Sequence, residues 1–320
     1  MKMKNFKLIS FCILEIILVV LFLFLFLPPK TVFAGFGEDN VTALTNLTVG
    51  KAPPVIIQIE TEQGSINLIP NSTKTVNCTV VIEDYDGEGD IANVTAVLFD
   101  PLETTYESSD DNNNHYSNNS CRIDITYGDE YQVFAHCLFD LWYYANAGTW
   151  NCTVIVSDIT PYSSNGTNTT QVQPLLALGL PDILQYGLVN STYVSNENIT
   201  NVTNFGNVPI NLSLSGYGFT ENDGNAMNCT LGSIKNISIE LEKYNLTNSN
   251  PGDLSLSEFI ANYTNLTLNP ITRRYDLDFR QEDTVNDAWN HTYWRIYVPV
   301  GVAGTCQGNI IFGAVQADGS

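Results

Sequence analysis

Apolar residues along this chain recur mainly at every second position, in short runs broken by glycine, proline, asparagine or aspartate. That period of two is the signature of half-buried β-strands. After Pro53-Pro54, strands are expected over Val55 to Glu60 and Ser65 to Pro70 around a Gln63-Gly64 turn. Two more follow, Thr75 to Asp84 and Ile91 to Asp100, separated by an acidic loop. Glu107 to Asn119 is almost wholly polar and reads as a long exposed loop. Ser163-Ser164-Asn165-Gly166 is a hairpin signal ahead of a closing strand through Val172 to Leu178, and a domain boundary is expected near Leu180-Pro181.

The run from Cys121 to Leu141 folds back on itself in a single register. Centred on Asp129, it sets Cys121 opposite Cys137, Ile123 opposite Ala135, Ile125 opposite Val133 and Tyr127 opposite Tyr131. Gly128-Asp129-Glu130 is then a three-residue loop. The other face carries Arg122, Asp124 and Thr126 against His136, Phe134 and Gln132, a mostly polar set that suits the outside of an antiparallel pair. A cross-strand Cys121–Cys137 bridge follows, its short loop giving about 2–4 kcal/mol.

The second half is expected to repeat this architecture. Val202 to Ile210 places Gly206-Asn207 between two apolar stretches and alternates on through Leu212 and Leu214, which fits a sandwich strand pair. Tyr293 to Val300 and Asn309 to Val315 flank a glycine-rich connection from Gly301 to Gly308. No helix of consequence is needed after the N-terminal segment, so the fold class is all-β, with sandwich domains over 53–180 and 181–320.

The N-terminus departs from the pattern. Lys2, Lys4 and Lys7 precede an apolar run from Leu8 to Leu27 broken only by Glu15, and Val32-Phe33-Ala34 supplies small residues for signal cleavage. Residues 1–34 therefore read as a secretory signal, although a retained run of about twenty apolar residues is also long enough to span a bilayer. Cys12 lacks the context of a lipid-anchored cysteine. Residues 35–52 form a polar leader, expected to be disordered.

Asn-x-Ser/Thr sequons agree with secretion. They occur at Asn40, Asn46, Asn71, Asn77, Asn93, Asn118, Asn151, Asn165, Asn168, Asn190, Asn198, Asn201, Asn211, Asn228, Asn236, Asn245, Asn262, Asn265 and Asn290. Chance pairing at this composition gives about six, so the chain reads as one built for N-glycosylation outside the cytoplasm. The net charge of -21 becomes about -24 without the signal. So acidic a surface repels phosphate backbones and excludes nucleic acid as a partner, while suiting a soluble surface, divalent cations or a basic partner.

Six cysteines remain beyond the signal, Cys78, Cys121, Cys137, Cys152, Cys229 and Cys306, an even count that argues for disulfides. Val76-Asn77-Cys78-Thr79-Val80 and Trp150-Asn151-Cys152-Thr153-Val154 are matching strings in which alternation turns cysteine inward and asparagine outward. Asn146-Ala147-Gly148-Thr149-Trp150-Asn151-Cys152 resembles the immunoglobulin-superfamily signature Asp-x-Gly-x-Tyr-x-Cys, with Asn for Asp and Trp for Tyr. The resemblance implies an immunoglobulin-like sandwich in which Cys78 on strand B and Cys152 on strand F are joined across the sheets. It departs from the antibody pattern in two ways, since Trp150 has no corner hydroxyl and no tryptophan follows Cys78 where strand C would carry one. Cys229 and Cys306 are left to pair with each other. Dense sequons, acid excess and β-modules together also resemble archaeal surface glycoproteins, a likeness of style with no shared motif.

Candidate chemistry is sparse. Asp84-Tyr85-Asp86-Gly87-Glu88-Gly89-Asp90 spaces carboxylates of Asp84, Asp86, Glu88 and Asp90 two apart on a glycine-turned loop, as oxygen ligands for calcium would be, with Asp100 as a further ligand. The same loop is also what a solvated turn in an acidic chain looks like, and Thr95 stands where an EF-hand has its closing glutamate. His115, His136 and His291 lack zinc-ligand spacing and read as surface or sandwich-edge residues. No nucleophile elbow, phosphate loop or activated cysteine is present, so no catalytic residue is assigned. Trp142-Tyr143-Tyr144 and the segment from Trp289 to Trp294 are sugar-stacking platforms if exposed and core filler if buried. The reading is a non-catalytic secreted or cell-surface glycoprotein that acts in structure, adhesion or assembly with other surface proteins or itself. A carbohydrate- or ligand-binding module is the alternative, and an extracellular hydrolase with carboxylates hidden among the acids ranks last.

Overall fold

The computed structural model describes residues 42–160, 162–283 and 288–317. The expected signal peptide, residues 1–34, and Asn40 lie outside them. The described residues from 51 onward form one compact unit; residues 42–50 belong to another, without secondary structure and exposed. Among the described residues no helix is long and apolar enough to cross a membrane.

Alternation builds the first half. β3 (Thr73–Glu83) buries Val76, Cys78, Val80 and Ile82, and β8 (Gly148–Asp158) buries Trp150, Cys152, Val154 and Val156, while the residues between them stay only partly covered. Around them one sheet runs β1 (Val55–Thr61), β3, β7 (Gln132–Trp142), β6 (Arg122–Asp124). The other runs β2 (Ser65–Ile66), β9 (Ser163–Val172), β8, β4 (Ile91–Phe99), β5 (His115–Asn118). All pairs are antiparallel except β2 with β9. Apolar side chains of both sheets enclose a common core, the arrangement of a β-sandwich. Cys78–Cys152 crosses that core between the sheets with Cα atoms 6.7 Å apart, and Cys121–Cys137 lies beside it, Cα–Cα 4.5 Å. Cys78 and Cys137 are direct neighbours across β3 and β7, so the two bridges are adjacent.

Several boundaries differ from the sequence reading, each for a local polar reason. The hairpin keeps its register, with Arg122 opposite His136 and Ile123 opposite Ala135. However, β6 stops at Asp124, because its carboxylate accepts the Thr126 backbone N–H and hydroxyl at 2.9 and 2.7 Å. The loop is thus longer than three residues, and Ile125 and Tyr127 are exposed. The stretch from Glu107 to Asn119 is not all exposed loop. It contains β5, and Asp111 organises its approach by accepting the backbone N–H groups of Asn113, Asn114 and His115. Ser163 to Gly166 lies within β9; the turn comes earlier, where Asp158 Oδ1 accepts Thr160 Oγ1 and Tyr162 N–H. Pairing after Gln63-Gly64 is limited to Ser65–Ile66.

The second half does not copy the first. Its described residues form three sheets. The largest runs β10 (Leu178–Gly179), β11 (Asn198–Asn204), β18 (Trp289–Ile296), β15 (Glu242–Asn245), β16 (Thr264–Asn265). The others are β17 (Ile271–Leu277), β12 (Ile210–Tyr217), β20 (Asn309–Gln316), and β14 (Asn236–Ser238), β13 (Asn225–Gly232), β19 (Val302–Gln307). β11 and β12 therefore lie in different sheets instead of forming a pair. Buried Asn204 explains the break: its amide donates to the Val208 and Asp278 carbonyls while its oxygen accepts Gly206 N–H. Asn207 then ties this turn to the first half, donating to Ala145 and Gln173 carbonyls and accepting Leu175 N–H. A Cβ at Gly206 would run into the Leu175 carbonyl, so glycine is needed at that approach. The glycine-rich 301–308 segment carries β19, and Cys229–Cys306 staples β19 to β13 with Cα atoms 4.0 Å apart. A short helix, α1 (Leu256–Asn262), starts at a Ser255–Glu258 capping box and buries Phe259.

Two predictions follow from these cores. The Cys78–Cys152 bridge closes a 74-residue separation and Cys121–Cys137 one of 16. Replacing the first pair by alanine should cost about 4 kcal/mol and the second about 3 kcal/mol, read as the difference between the two variants in denaturant unfolding. Glu242 on β15 is fully buried, accepts the Tyr186 hydroxyl at 2.8 Å, and is pushed by desolvation to about 7 from its usual 4.5. The folded chain therefore holds this proton more tightly than the unfolded chain. The stability so gained is complete below about pH 4.5 and is lost as pH rises through about 7. Glu242→Gln should match the parent in acid and unfold at higher temperature above neutrality; a gap that does not change with pH would exclude this assignment.

Candidate metal centre

The inward phase of β3 and β8 does not stop with their apolar residues. Beyond Val80 and Ile82 the next inward position after β3 is Asp84, and beyond Val154 and Val156 the last inward position of β8 is Asp158. A 3-10 turn, Glu88–Asp90, delivers Asp90 just ahead of β4, where the Ile159 N–H donates to the Asp90 carbonyl at 2.8 Å. Gly87 in this connection has φ 109°, a conformation that favours glycine. The three carboxylates converge: one oxygen of each lies within 4.8 Å of the others. All three are buried, at 1% exposure for Asp84 and 5% for Asp90 and Asp158.

Each of these carboxylates has one satisfied oxygen. Asp84 Oδ1 accepts the Asp86 N–H at 2.8 Å, Asp90 Oδ1 accepts Lys51 Nζ at 3.0 Å, and Asp158 Oδ1 accepts the Thr160 hydroxyl at 2.9 Å. The Oδ2 atoms of all three are buried without a donor. Burial raises the Asp84 pKa above its usual value, and the neighbouring charges of Asp90, Asp86 and Asp158 add to the shift. Lys51 is the nearby cation, and the hydrogen bond to Asp90 raises its own pKa. An oxygen-only set of three carboxylates is a donor set for a hard divalent cation.

The four loop residues singled out in the sequence divide here. Asp84 and Asp90 enter the cluster. Asp86 stands aside, its Oδ2 accepting Ala52 N–H at 2.9 Å and lying 4.0 Å from Lys51, and Glu88 is half-buried outside it. Asp100 follows the far end of β4, where its carboxylate accepts Leu102 N–H, so it cannot join. Asp158 was missed because its only sequence mark is a place at the end of an inward-alternating strand.

The other candidates are scattered. His115 lies on the sheet-edge strand β5 and is buried, with Nδ1 2.9 Å from Asp110 Oδ1. His136 and His291 are half-buried on β7 and β18. Trp150 and Trp294 are fully buried, whereas Trp142 and Trp289 are 37% and 45% exposed. Trp142 stacks on Tyr144 at 6.0 Å, and the Arg280 guanidinium sits 4.6 Å from the Tyr144 ring centroid.

No known protein family matches this chain, and no curated protein matches it. Among solved structures it is similar to a carbohydrate-binding module of the β-sandwich superfamily at 11% identity, covering 84% of this chain and 99% of that one, with TM-score 0.25. A chaperone–tip adhesion subunit complex from the Csu pili of Acinetobacter baumannii shows 11% identity over 78% and 96% of the two chains, with TM-score 0.30. The C-terminal domain of the AgI/II polypeptide BspA from Streptococcus agalactiae shows 9% identity over 83% and 100%, with TM-score 0.21. Likeness at this level carries nothing about the ligand of the present chain.

The Lys51 ammonium compensates part of a buried negative cluster. Lys51→Met should therefore lower the thermal midpoint in the presence of chelator, with a smaller loss at high ionic strength. An unchanged midpoint at low salt would show that Lys51 carries no such role.

Proposed function

We propose that this is a secreted, N-glycosylated β-sandwich protein that acts by binding or assembly, without catalysis. The distribution of asparagines carries this reading. None of the described sequon asparagines is buried, while the fully covered asparagines, Asn113, Asn204 and Asn207, all lie outside sequons. An asparagine in the core spends its amide on backbone partners, as Asn204 and Asn207 do; one that accepts a glycan must face solvent. Three disulfides suit an oxidising, extracytoplasmic compartment.

Association with copies or other surface proteins has a natural place in this reading. β20 is the longest edge strand, and Asn309–Gln316 contains neither a charge nor a sequon, with Ile311 and Val315 exposed. An edge of this kind presents unpaired backbone groups to another strand. The test combines glycopeptide mass spectrometry with light scattering on the secreted chain. Glycans on the outward sequons and concentration-dependent higher species that Ile311→Lys abolishes are expected. Unmodified sequon peptides from the native source would overturn the glycoprotein reading, and a monomer at every concentration would overturn assembly.

A further inference from the structure

We propose that Asp84, Asp90 and Asp158 bind a calcium ion that clamps the two sheets of the first sandwich together at one end. Asp84 follows β3 in one sheet, whereas Asp90 immediately precedes β4 and Asp158 ends β8 in the other. Their ligand oxygens lie within 4.8 Å of one another, the widest span that two oxygens bound at about 2.4 Å to one calcium can reach.

The unpaired oxygens are the observation that calls for an ion. Asp84, Asp90 and Asp158 are each at least nine-tenths buried, each has its Oδ1 fixed by a protein donor, and each leaves Oδ2 enclosed with no donor at all. A buried carboxylate oxygen without a partner is costly, and three beside one another repel. Lys51 does not resolve this, because its ammonium reaches Asp90 Oδ1 and its side chain is nearly half exposed. Protein donors therefore fix one oxygen of each carboxylate and leave the other enclosed without a partner, in a cluster where one oxygen of each residue lies within 4.8 Å of the others.

The donor chemistry selects the ion. Neither histidine nor cysteine belongs to the cluster, which disfavours zinc and copper. Magnesium retains most of its water and usually takes one or two carboxylates, whereas calcium accepts several carboxylates in flexible geometry and completes its sphere with water. None of the three aspartates lies in a sequon.

Calorimetric titration and thermal unfolding of the full secreted chain, stripped with chelator, test the proposal with calcium chloride and magnesium chloride as probes. Calcium should bind saturably and raise the unfolding midpoint, more than magnesium at equal concentration. Asp158→Asn removes a repelling charge and should fold. It should lose calcium affinity on the order of 100-fold and lose the calcium-dependent rise. Asp90→Asn repeats the test from the other connection, and Asp100→Asn, beyond the far end of β4, should respond as the parent does. An unshifted parent midpoint, a variant at 90 or 158 that responds like the parent, or equal shifts with both metals would each overturn the proposal.

Discussion

The first half of the molecule depends on β3 and β8 presenting the same inward phase from opposite sheets. Cys78 and Cys152 meet across the core, and from that bridge both strands step by two through Val80 and Ile82 and through Val154 and Val156. Six residues beyond each cysteine the same phase delivers Asp84 and Asp158. At a rise of about 3.3 Å per residue, the carboxylates sit roughly 20 Å along the strands from the disulfide. The interior thus runs from a covalent bridge through a buried apolar stretch to a charged end. The pairing of β4 with β8 brings Asp90 beside Asp158, because Ile91, the next residue after Asp90, lies opposite Asp158.

Polar side chains, more than helices or long loops, decide where the strands stop. Asp124 ends β6, Asp111 leads into β5, and Asp158 turns β8 into β9, each by accepting nearby backbone or hydroxyl donors. Asp223 does the same ahead of β13, where the N–H groups of Gly218, Phe219, Thr220 and Asn225 hold its carboxyl well below the usual range. These short acceptors satisfy backbone donors that would otherwise be lost at strand ends. A chain so rich in Asp and Asn can use them repeatedly, and its acidity is therefore partly structural.

The second half solves a related problem with a buried cation. Arg295 on β18 is fully enclosed, and its guanidinium donates to the Ser195, Asn250 and Gly252 carbonyls and to the Tyr263 hydroxyl. Glu197 accepts from the Tyr263 hydroxyl and from Ser249 and the Asn250 N–H, completing the network. Together they pin the segment around α1 to the largest sheet, next to the core of Trp294 and Tyr244. Five directed donors let arginine hold several carbonyls at once, which a lysine point charge does not do.

Much of this was legible in the residues themselves. Period-two alternation marks the strands around Cys78, Cys137 and Cys152, because inward and outward positions differ in polarity, and the hairpin register at Ile123 and Ala135 follows from the same rule. Secretion and glycosylation, as expectations, rest on local strings that need no fold. What the sequence alone could not supply was strand partnership: that β11 and β12 part into different sheets, that polar 107–119 contains a strand, and that Asp158 joins Asp84 and Asp90. Alternation states which face a residue takes and says nothing about which distant strand lies beside it. The loop motif alone offered Asp84, Asp86, Glu88 and Asp90 as neighbours, whereas the packed sheets keep Asp84 and Asp90 together and bring in Asp158, because ligand geometry is set by the ends of strands that meet only when the sandwich closes.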